Sequence, residues 1–230
     1  MLSFIIPAHN EEALIGRTLA ALHQSARALG EPYEVLVAND ASTDRTGEIA
    51  LENGAQVIAV NRRQIGATRN AGARAATGDV FIFVDADTMM TTRALRAAVR
   101  ALRRGAVGGG SAVRFDGPVP LYAAVLERML PPIMHLLGVA AGCFLFCTRR
   151  AFVAAGGFDE ALYCGEEVAL SQRLKHLGRF VIVREFVITS GRKLRTRTAL
   201  ELLQVGARLA LGGPQSLRRR EGLEFWYGPR

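Results

Sequence analysis

The sequence predicts an α/β fold on a mostly parallel central sheet, and three observations carry that expectation. Apolar, strand-like runs recur at Ser3–Pro7, Glu34–Ala38, Gln56–Val60 and Val80–Val84. Segments with helical spacing or good helix formers separate them, which is the pattern of successive βαβ units. Half of the 230 residues are hydrophobic, enough for one sizeable core and too few for two comfortable domains. A single domain over residues 1–230 follows.

The opening run Met1-Leu2-Ser3-Phe4-Ile5-Ile6-Pro7 has no basic n-region and no small-residue cleavage site, so it reads as a first strand and not as a signal segment. In the first helix Asn10 is the expected N-cap, Glu11 and Glu12 complement the dipole, and Gly30 follows the last turn. A second helix starts after Asp44, which caps it, and ends at Gly54; a third runs from about Gln64 to Thr77, stopped by Gly78. After the strand at Val80–Val84 another helix starts near Thr91.

Beyond Gly105 the character changes. Gly108-Gly109-Gly110 precedes a strand at Ser111–Phe115, and a helical piece leads to a strand near Cys143–Cys147. A further helix follows Gly165, and Phe180–Thr189 reads as a strand pair or one bent strand. Met129 to Thr148 carries no formal charge and has about the length of a bilayer span. Pro131-Pro132 is expected to break its helix, which favours a buried helix-turn-strand. Leu121 to Leu130, apolar apart from Glu127 and Arg128, suits a peripheral membrane contact. The end, Leu217-Arg218-Arg219-Arg220 then Phe225-Trp226-Tyr227, joins basic and aromatic residues as membrane-surface segments do; aromatics packing back on the domain would read the same.

A net charge of +8 and an isoelectric point near 10.2 point to an anionic partner: nucleic acid, phospholipid headgroups or a phosphorylated small molecule. No nucleic-acid motif or aromatic-basic ladder is present, which argues against the first. Cys143, Cys147 and Cys164 are odd in number and lack zinc-site spacing, so buried reduced thiols in a cytoplasmic protein are expected.

The most informative stretch is Asp79 to Thr88, where an apolar strand stops at Asp85-Ala86-Asp87. Strand side chains alternate, so the two carboxylates face the same way and can share one ligand. At about 4 Å they would repel by roughly 4 kcal/mol at an effective dielectric near 20, which a divalent cation or a hydroxyl donor would relieve. The bland alternative is a solvated turn with Asp87 capping the following helix. In parallel sheets ligands sit at the carboxyl ends of strands. Those ends here carry Pro7-Ala8-His9-Asn10-Glu11, then Asp40, then Asp85 and Asp87. Asp40 could accept from a nucleobase N–H or a ribose hydroxyl. Arg69 offers a diphosphate contact or a solvated helix face.

Five pieces in order resemble the family 2 glycosyltransferases of the GT-A type across roughly residues 3 to 190. They are Phe4 to Glu12, Val37 to Asp44, Gly66-Ala67-Thr68-Arg69-Asn70-Ala71-Gly72, Asp85-Ala86-Asp87, and Gly156-Gly157-Phe158-Asp159-Glu160 followed by Gly165-Glu166-Glu167. The resemblance implies a Rossmann-like three-layer αβα sandwich with a nucleotide-sugar-binding half at about 1–105, an acceptor and catalytic half at about 106–198, and a C-terminal helix and tail at 199–230. It implies that Pro7, Ala8, His9, Glu11 and Asp40 line the base and ribose, with Asp85 and Asp87 at the ribose and a diphosphate-bound Mn²⁺ or Mg²⁺. Such a cation stabilises the negative charge of the leaving group. The glycine-acid-acid signature implies Glu167 as the base that takes the acceptor's proton, giving inversion, with Glu166 contacting the acceptor or orienting the loop. The family commonly has aspartate at the Glu167 position. Some relatives add a late histidine ligand, whereas His176 lies inside an expected helix here. Asp87, diphosphate oxygens and water would then complete the coordination.

Tyr122, Glu127, His135 and Gly142 are candidate acceptor positions. Arg192, Lys193 and Arg195, within a run of four cations, would clamp the diphosphate or draw in a phosphorylated or lipid-linked acceptor. A sugar-phosphate nucleotidyltransferase is the nearest rival, but its glycine-rich phosphate loop is replaced by Pro7-Ala8-His9-Asn10. A non-catalytic sugar-nucleotide-binding protein is the other. The expected location is the cytoplasm, at the inner face of the membrane.

Overall fold

The computed structural model describes residues 1–196, 198, 200, 201, 204, 213–223 and 227. Its first half alternates strand and helix as expected: β1 (Leu2–Ala8), α1 (Ile15–Leu29), β2 (Tyr33–Asp40), α2 (Thr46–Glu52), β3 (Gln56–Val60), α3 (Ile65–Ala75) and β4 (Val80–Val84). Then come β5 (Thr88–Met89), α4 (Thr92–Arg103), β6 (Gly108–Phe115), α5 (Leu121–Leu137), β7 (Phe144–Thr148), α6 (Arg149–Ala154), α7 (Glu166–Leu177), β8 (Phe180–Thr189) and α8 (Arg192–Thr196). The eight strands form one sheet in the order β3-β2-β1-β4-β7-β6-β8-β5.

Alternation along each strand divides the core between the two faces of the sheet. Phe4 and Ile6 of β1 join Ile82 and Val84 of β4 on one face, with Leu19, Leu22 and Leu95 from α1 and α4. Ile5, Phe81 and Phe83 point to the other face, against Ala73, Phe152 and Leu170 from α3, α6 and α7. Three layers result. Because β3, β2, β1 and β4 are mutually parallel, the ends of β1, β2 and β4 share one edge, and the loops at Pro7–Glu11, Asp40 and Asp85–Asp87 come together there.

The second half supplies the antiparallel pairings of the mostly parallel sheet. β7 runs antiparallel to both β4 and β6, β8 is parallel to β6, and β5 is antiparallel to β8. A strand buried on both faces is continuously apolar in either direction, so Phe144-Leu145-Phe146-Cys147 gave no hint of its polarity. The glycine triplet belongs to β6 itself: a side chain at Gly109 would meet the Val181 carbonyl oxygen at 2.0 Å, and one at Gly110 would meet Ala140 at 2.6 Å. Phe180–Thr189 is one strand with a register shift between Ser111 and Ala112 of its partner.

Several local expectations are corrected. Asn10 does not cap α1, which begins at Ile15; it adopts φ 51° and its Oδ1 accepts from the Thr43 N–H at 2.8 Å, joining two loops. Thr91, not Asp87, caps α4, accepting from the Ala94 N–H at 3.2 Å. Pro131 and Pro132 lie inside α5, which continues to Leu137 before turning at Gly138. They remove two backbone donors, and the helix there runs along the surface. Met129 to Thr148 forms the expected helix, turn and strand, but only the strand is buried, since the helical part is largely exposed; no helix among the described residues is long and apolar enough to cross a membrane. Cys147 is buried, Cys143 and Cys164 are half-buried, and all three are free thiols; burial pushes each thiol up from its ordinary value.

Candidate active site

A cavity opens at the shared strand edge. Of the residues singled out in the sequence, Pro7, Ala8, His9, Glu11, Asp40, Asp85, Asp87 and Lys193 line it. Asp40 is buried, and its Oδ1 accepts from the backbone N–H groups of Arg62 at 2.7 Å and Arg63 at 3.0 Å, while Oδ2 accepts from the Thr68 hydroxyl at 2.8 Å. The His9 ring Nδ1 lies 2.7 Å from the Asp40 carbonyl oxygen. The end of β2 is thereby tied to the loop before α3 and to α3 itself.

Arg69 takes a different place from the one expected. It is 2% exposed and does not line the cavity. One terminal nitrogen donates to Glu166 at 2.7 Å; the other donates to Asp85 at 2.8 Å and to the Gly142 carbonyl at 2.9 Å. Both ends of the guanidinium are engaged inside the protein, so Arg69 braces Asp85 and the Gly142 carbonyl against Glu166. Burial works against its charge, but Asp85, Glu166 and Glu167 outweigh that and hold it above its ordinary value. Glu166 is likewise buried against Arg69 and does not line the cavity.

Glu167, the next residue, is half-buried. A Cβ at Gly142 would lie 3.4 Å from the Arg69 guanidinium and 3.5 Å from the Glu167 carboxyl, in ordinary contact with both, which places Glu167 beside Gly142 and Arg69. Burial, then the neighbouring Glu166, pushes the Glu167 carboxyl up to about 8. Such a group changes charge near neutral pH, where a general base is most effective.

Asp87 is raised to about 6 by burial and then by Asp85, with Arg192 and Lys193 opposing. Arg192 donates to both oxygens of the buried Glu11 carboxylate at 2.6 Å and reaches Asp87 at 3.4 Å. α8 thus straps the second half of the chain to the cavity. Arg195 is not part of this: it pairs with Asp116 at 3.2 Å and is exposed. Among the suggested acceptor positions, Tyr122 donates to the Leu194 carbonyl at 2.6 Å, Glu127 accepts from the Phe115 N–H at 3.0 Å, and His135 is exposed on α5. Only Gly142 stands beside Glu167.

Sequence reasoning missed Arg63, Gln64, Ile65, Thr68, Arg220 and Tyr227 as cavity residues. Gln64 caps α3, and that helix start just before the Gly66-Ala67-Thr68-Arg69 motif was the available signal. The membrane reading of the tail is corrected in part. Tyr227 donates to the Tyr163 carbonyl at 3.0 Å, its ring lies 5.2 Å from the Arg220 guanidinium, and both face the cavity. Phe225 and Trp226 lie outside the described residues.

Asp85 and Asp87 bring hard oxygen donors to one cavity, while no group of three or more His, Cys, Asp or Glu side chains placed for a metal occurs among the described residues. These donors fit a divalent cation of the Mg²⁺ or Mn²⁺ kind that takes its other ligands from phosphate and water. A carboxyl raised by burial and a like-charged neighbour gains from such a cation.

Residues 3–147 match the family model described as Glycosyl transferase family 2. The undecaprenyl-phosphate 4-deoxy-4-formamido-L-arabinose transferase of Pectobacterium carotovorum subsp. carotovorum (strain PC1) is 33% identical over 181 residues, which is 71% of this chain and 52% of that one. Validoxylamine A glucosyltransferase of Streptomyces hygroscopicus subsp. jinggangensis (strain 5008) is 36% identical over 91 residues, covering 37% of this chain and 21% of that one. Among solved structures, mannosyltransferase PcManGT from Pyrobaculum calidifontis in complex with GDP-Man and Mn²⁺ superposes with a TM-score of 0.67 at 18% identity, covering 94% of this chain and 66% of that one. S. aureus TarS 1-349 in complex with UDP-GlcNAc gives 0.63 at 17% identity, covering 97% and 72%. The chain spans about half the length of the arabinose transferase it matches. Its fold is the GT-A glycosyltransferase fold, and with a family model matched over more than half of its length, the chain belongs to glycosyl transferase family 2.

Proposed function

We propose that this chain transfers a sugar from a nucleoside-diphosphate sugar to an acceptor hydroxyl, with inversion at the anomeric carbon. The observation that carries the reading is the convergence of Pro7–Glu11, Asp40, Asp85 and Asp87 on one cavity, with Arg69 joining Asp85 to Glu166, the residue before Glu167. The first half would hold the nucleotide, with Pro7, Ala8, His9, Glu11 and Asp40 around base and ribose. Arg192 and Lys193 would offer positive charge to the diphosphate. Asp87, with Asp85 beside it, would hold a divalent cation, which when bound stabilises the charge growing on the departing nucleoside diphosphate. PcManGT binds GDP-Man with Mn²⁺ in a similar fold, which supports that expectation. Glu167 accepts the acceptor's proton while the acceptor oxygen bonds to the anomeric carbon and the sugar–phosphate bond breaks.

A second reading concerns the acceptor. Relatives 30–34% identical over about two thirds of the chain are named undecaprenyl-phosphate transferases. A lipid-linked phosphate is already anionic at neutral pH and needs no base. On that reading the enzyme works at the inner face of the membrane and Glu167 shapes the site without accepting a proton.

Screening UDP-, GDP- and dTDP-sugars for thermal stabilisation, with and without Mn²⁺, tests the donor site. A ligand at 100 times its Kd adds about 2.7 kcal/mol, or roughly 5–10 °C for a domain of this size. Asp87→Ala should cancel the part that depends on Mn²⁺ and lower transfer about 10²–10³-fold. Absence of stabilisation by every nucleotide sugar would sink the proposal. A rate that rises with pH through about 8 favours a hydroxyl acceptor, and a flat profile favours a phosphate.

A further inference from the structure

We propose that the outer face of α5 docks this protein on an anionic lipid bilayer. Of its seventeen residues only Ala123 and Met134 are buried. Leu121 and Leu136 are 82% and 86% exposed, and Val125, Met129, Ile133 and Leu137 are each more than 40% exposed. At about 100° per residue, Leu121, Val125, Met129 and Leu136 fall in one sector of about 80°, and Ile133 and Leu137 extend it. The stripe runs for about 25 Å along the helix. Its own core contact does not account for an apolar face of this length, since monomeric proteins seldom leave one in water.

The charges around the stripe select the occupant. The carboxylate of α5, Glu127, is turned to the Phe115 N–H at 3.0 Å. Cations stand at the border: Arg128, beside Leu121 on the helix, is exposed, and Lys175 donates to the Leu137 carbonyl at 2.8 Å at the far end. A bilayer with anionic headgroups satisfies an apolar stripe with a basic edge. A second copy would bring the same basic edge against itself, because a twofold contact pairs like with like.

The orientation that docking imposes rests on the proposed sugar transfer, although docking itself does not. One end of α5 is tied by Tyr122 to α8, whose Arg192 reaches Asp87; the other leads through Ala140 to Gly142 and Glu167. The bilayer would lie along the acceptor half of the chain, where an amphiphilic acceptor would enter.

The test is flotation of the full chain with vesicles of phosphatidylglycerol and phosphatidylethanolamine, against phosphatidylcholine alone. The wild type should float with the anionic vesicles. Val125→Glu, Met129→Glu and Leu136→Glu together should bind at least tenfold more weakly, with thermal melting and donor-induced stabilisation unchanged. Arg128→Glu should weaken binding without touching the stripe, and Leu136→Glu alone reads the same loss if the triple variant folds poorly. A wild type that stays unbound overturns the proposal. So does a triple variant that floats as well as the wild type, or a concentration-dependent dimer that the substitutions dissolve without any vesicle binding. Vesicle binding without donor stabilisation would refute the transferase reading alone; donor stabilisation without vesicle binding would refute docking alone.

Discussion

At the scale of single residues, Arg69 is the side chain on which the acids of both halves depend. It neutralises Asp85 on one side and Glu166 on the other while almost fully buried. Removing one partner of a buried ionic group leaves uncompensated charge, at about 3–5 kcal/mol. Arg69→Met should therefore lower unfolding free energy by about that amount in urea titration, and Arg69→Lys should recover only part of it, because one ammonium cannot serve three acceptors in a forked arrangement. Glu167→Gln is expected to behave differently. Transfer to a hydroxyl acceptor should fall about 10²–10⁴-fold, while donor-induced stabilisation stays as in the wild type. The motif containing Arg69 was visible in the sequence, yet its role was not. Whether an arginine on a helix faces a ligand or an internal carboxylate depends on Glu166, 97 residues away.

At the scale of elements, the first half was legible because each strand is an apolar run bounded by turn residues and each helix has its own stops. Gly30 closes α1 in the left-handed conformation, as its position suggested. The second half was less legible for physical reasons. β5 has two residues and depends wholly on pairing with β8. β7 carries no mark of direction, and the glycines of β6 resemble a loop until its neighbours close in on both sides. That crowding has a measurable consequence. Gly109→Ala should destabilise the fold by about 1–3 kcal/mol or more, read as a lower melting temperature, whereas Gly105→Ala should act only through its positive φ, since nothing lies within 4 Å of its Cβ position.

At the scale of the whole molecule, the buried acids set how stability responds to pH. The Glu167 carboxyl is raised from 4.5 to about 8 in the folded chain, so the folded state holds this proton more tightly than the unfolded one. Its contribution is fully present below pH 4.5 and is lost as pH rises through about 8. Melting temperature should accordingly fall between pH 5 and pH 8.5, and the fall should be shallower in Glu167→Gln. Glu34 and Asp44 act in the opposite sense. Burial raises them, but hydrogen bonds from Ser3 and Thr77, and from Thr46 and Glu12, outweigh it and lower both. Their support is present above the ordinary carboxylate range and is lost in acid.

The site itself was partly legible at this scale. Asp40, Asp85 and Asp87 could be placed together because parallel strands present their carboxyl ends on one edge. Arg220 and Tyr227 could not, since they reach the cavity from the far end of the chain and no local pattern records that return. The register shift in β8 adds one more consequence. Val183 pairs with Ser111 and Phe186 with Ala112, which leaves Arg184 and Glu185 as an inserted pair. Two residues of strand amount to about 7 Å of reach, and an even number leaves the inward and outward sides of the strand as they were. The inserted pair acts as a spacer of even parity. It sets where Thr189 and then Arg192 arrive beside Asp87, and it leaves the hydrophobic pattern of the strand untouched, so the reach of the strap could be retuned without rewriting the core.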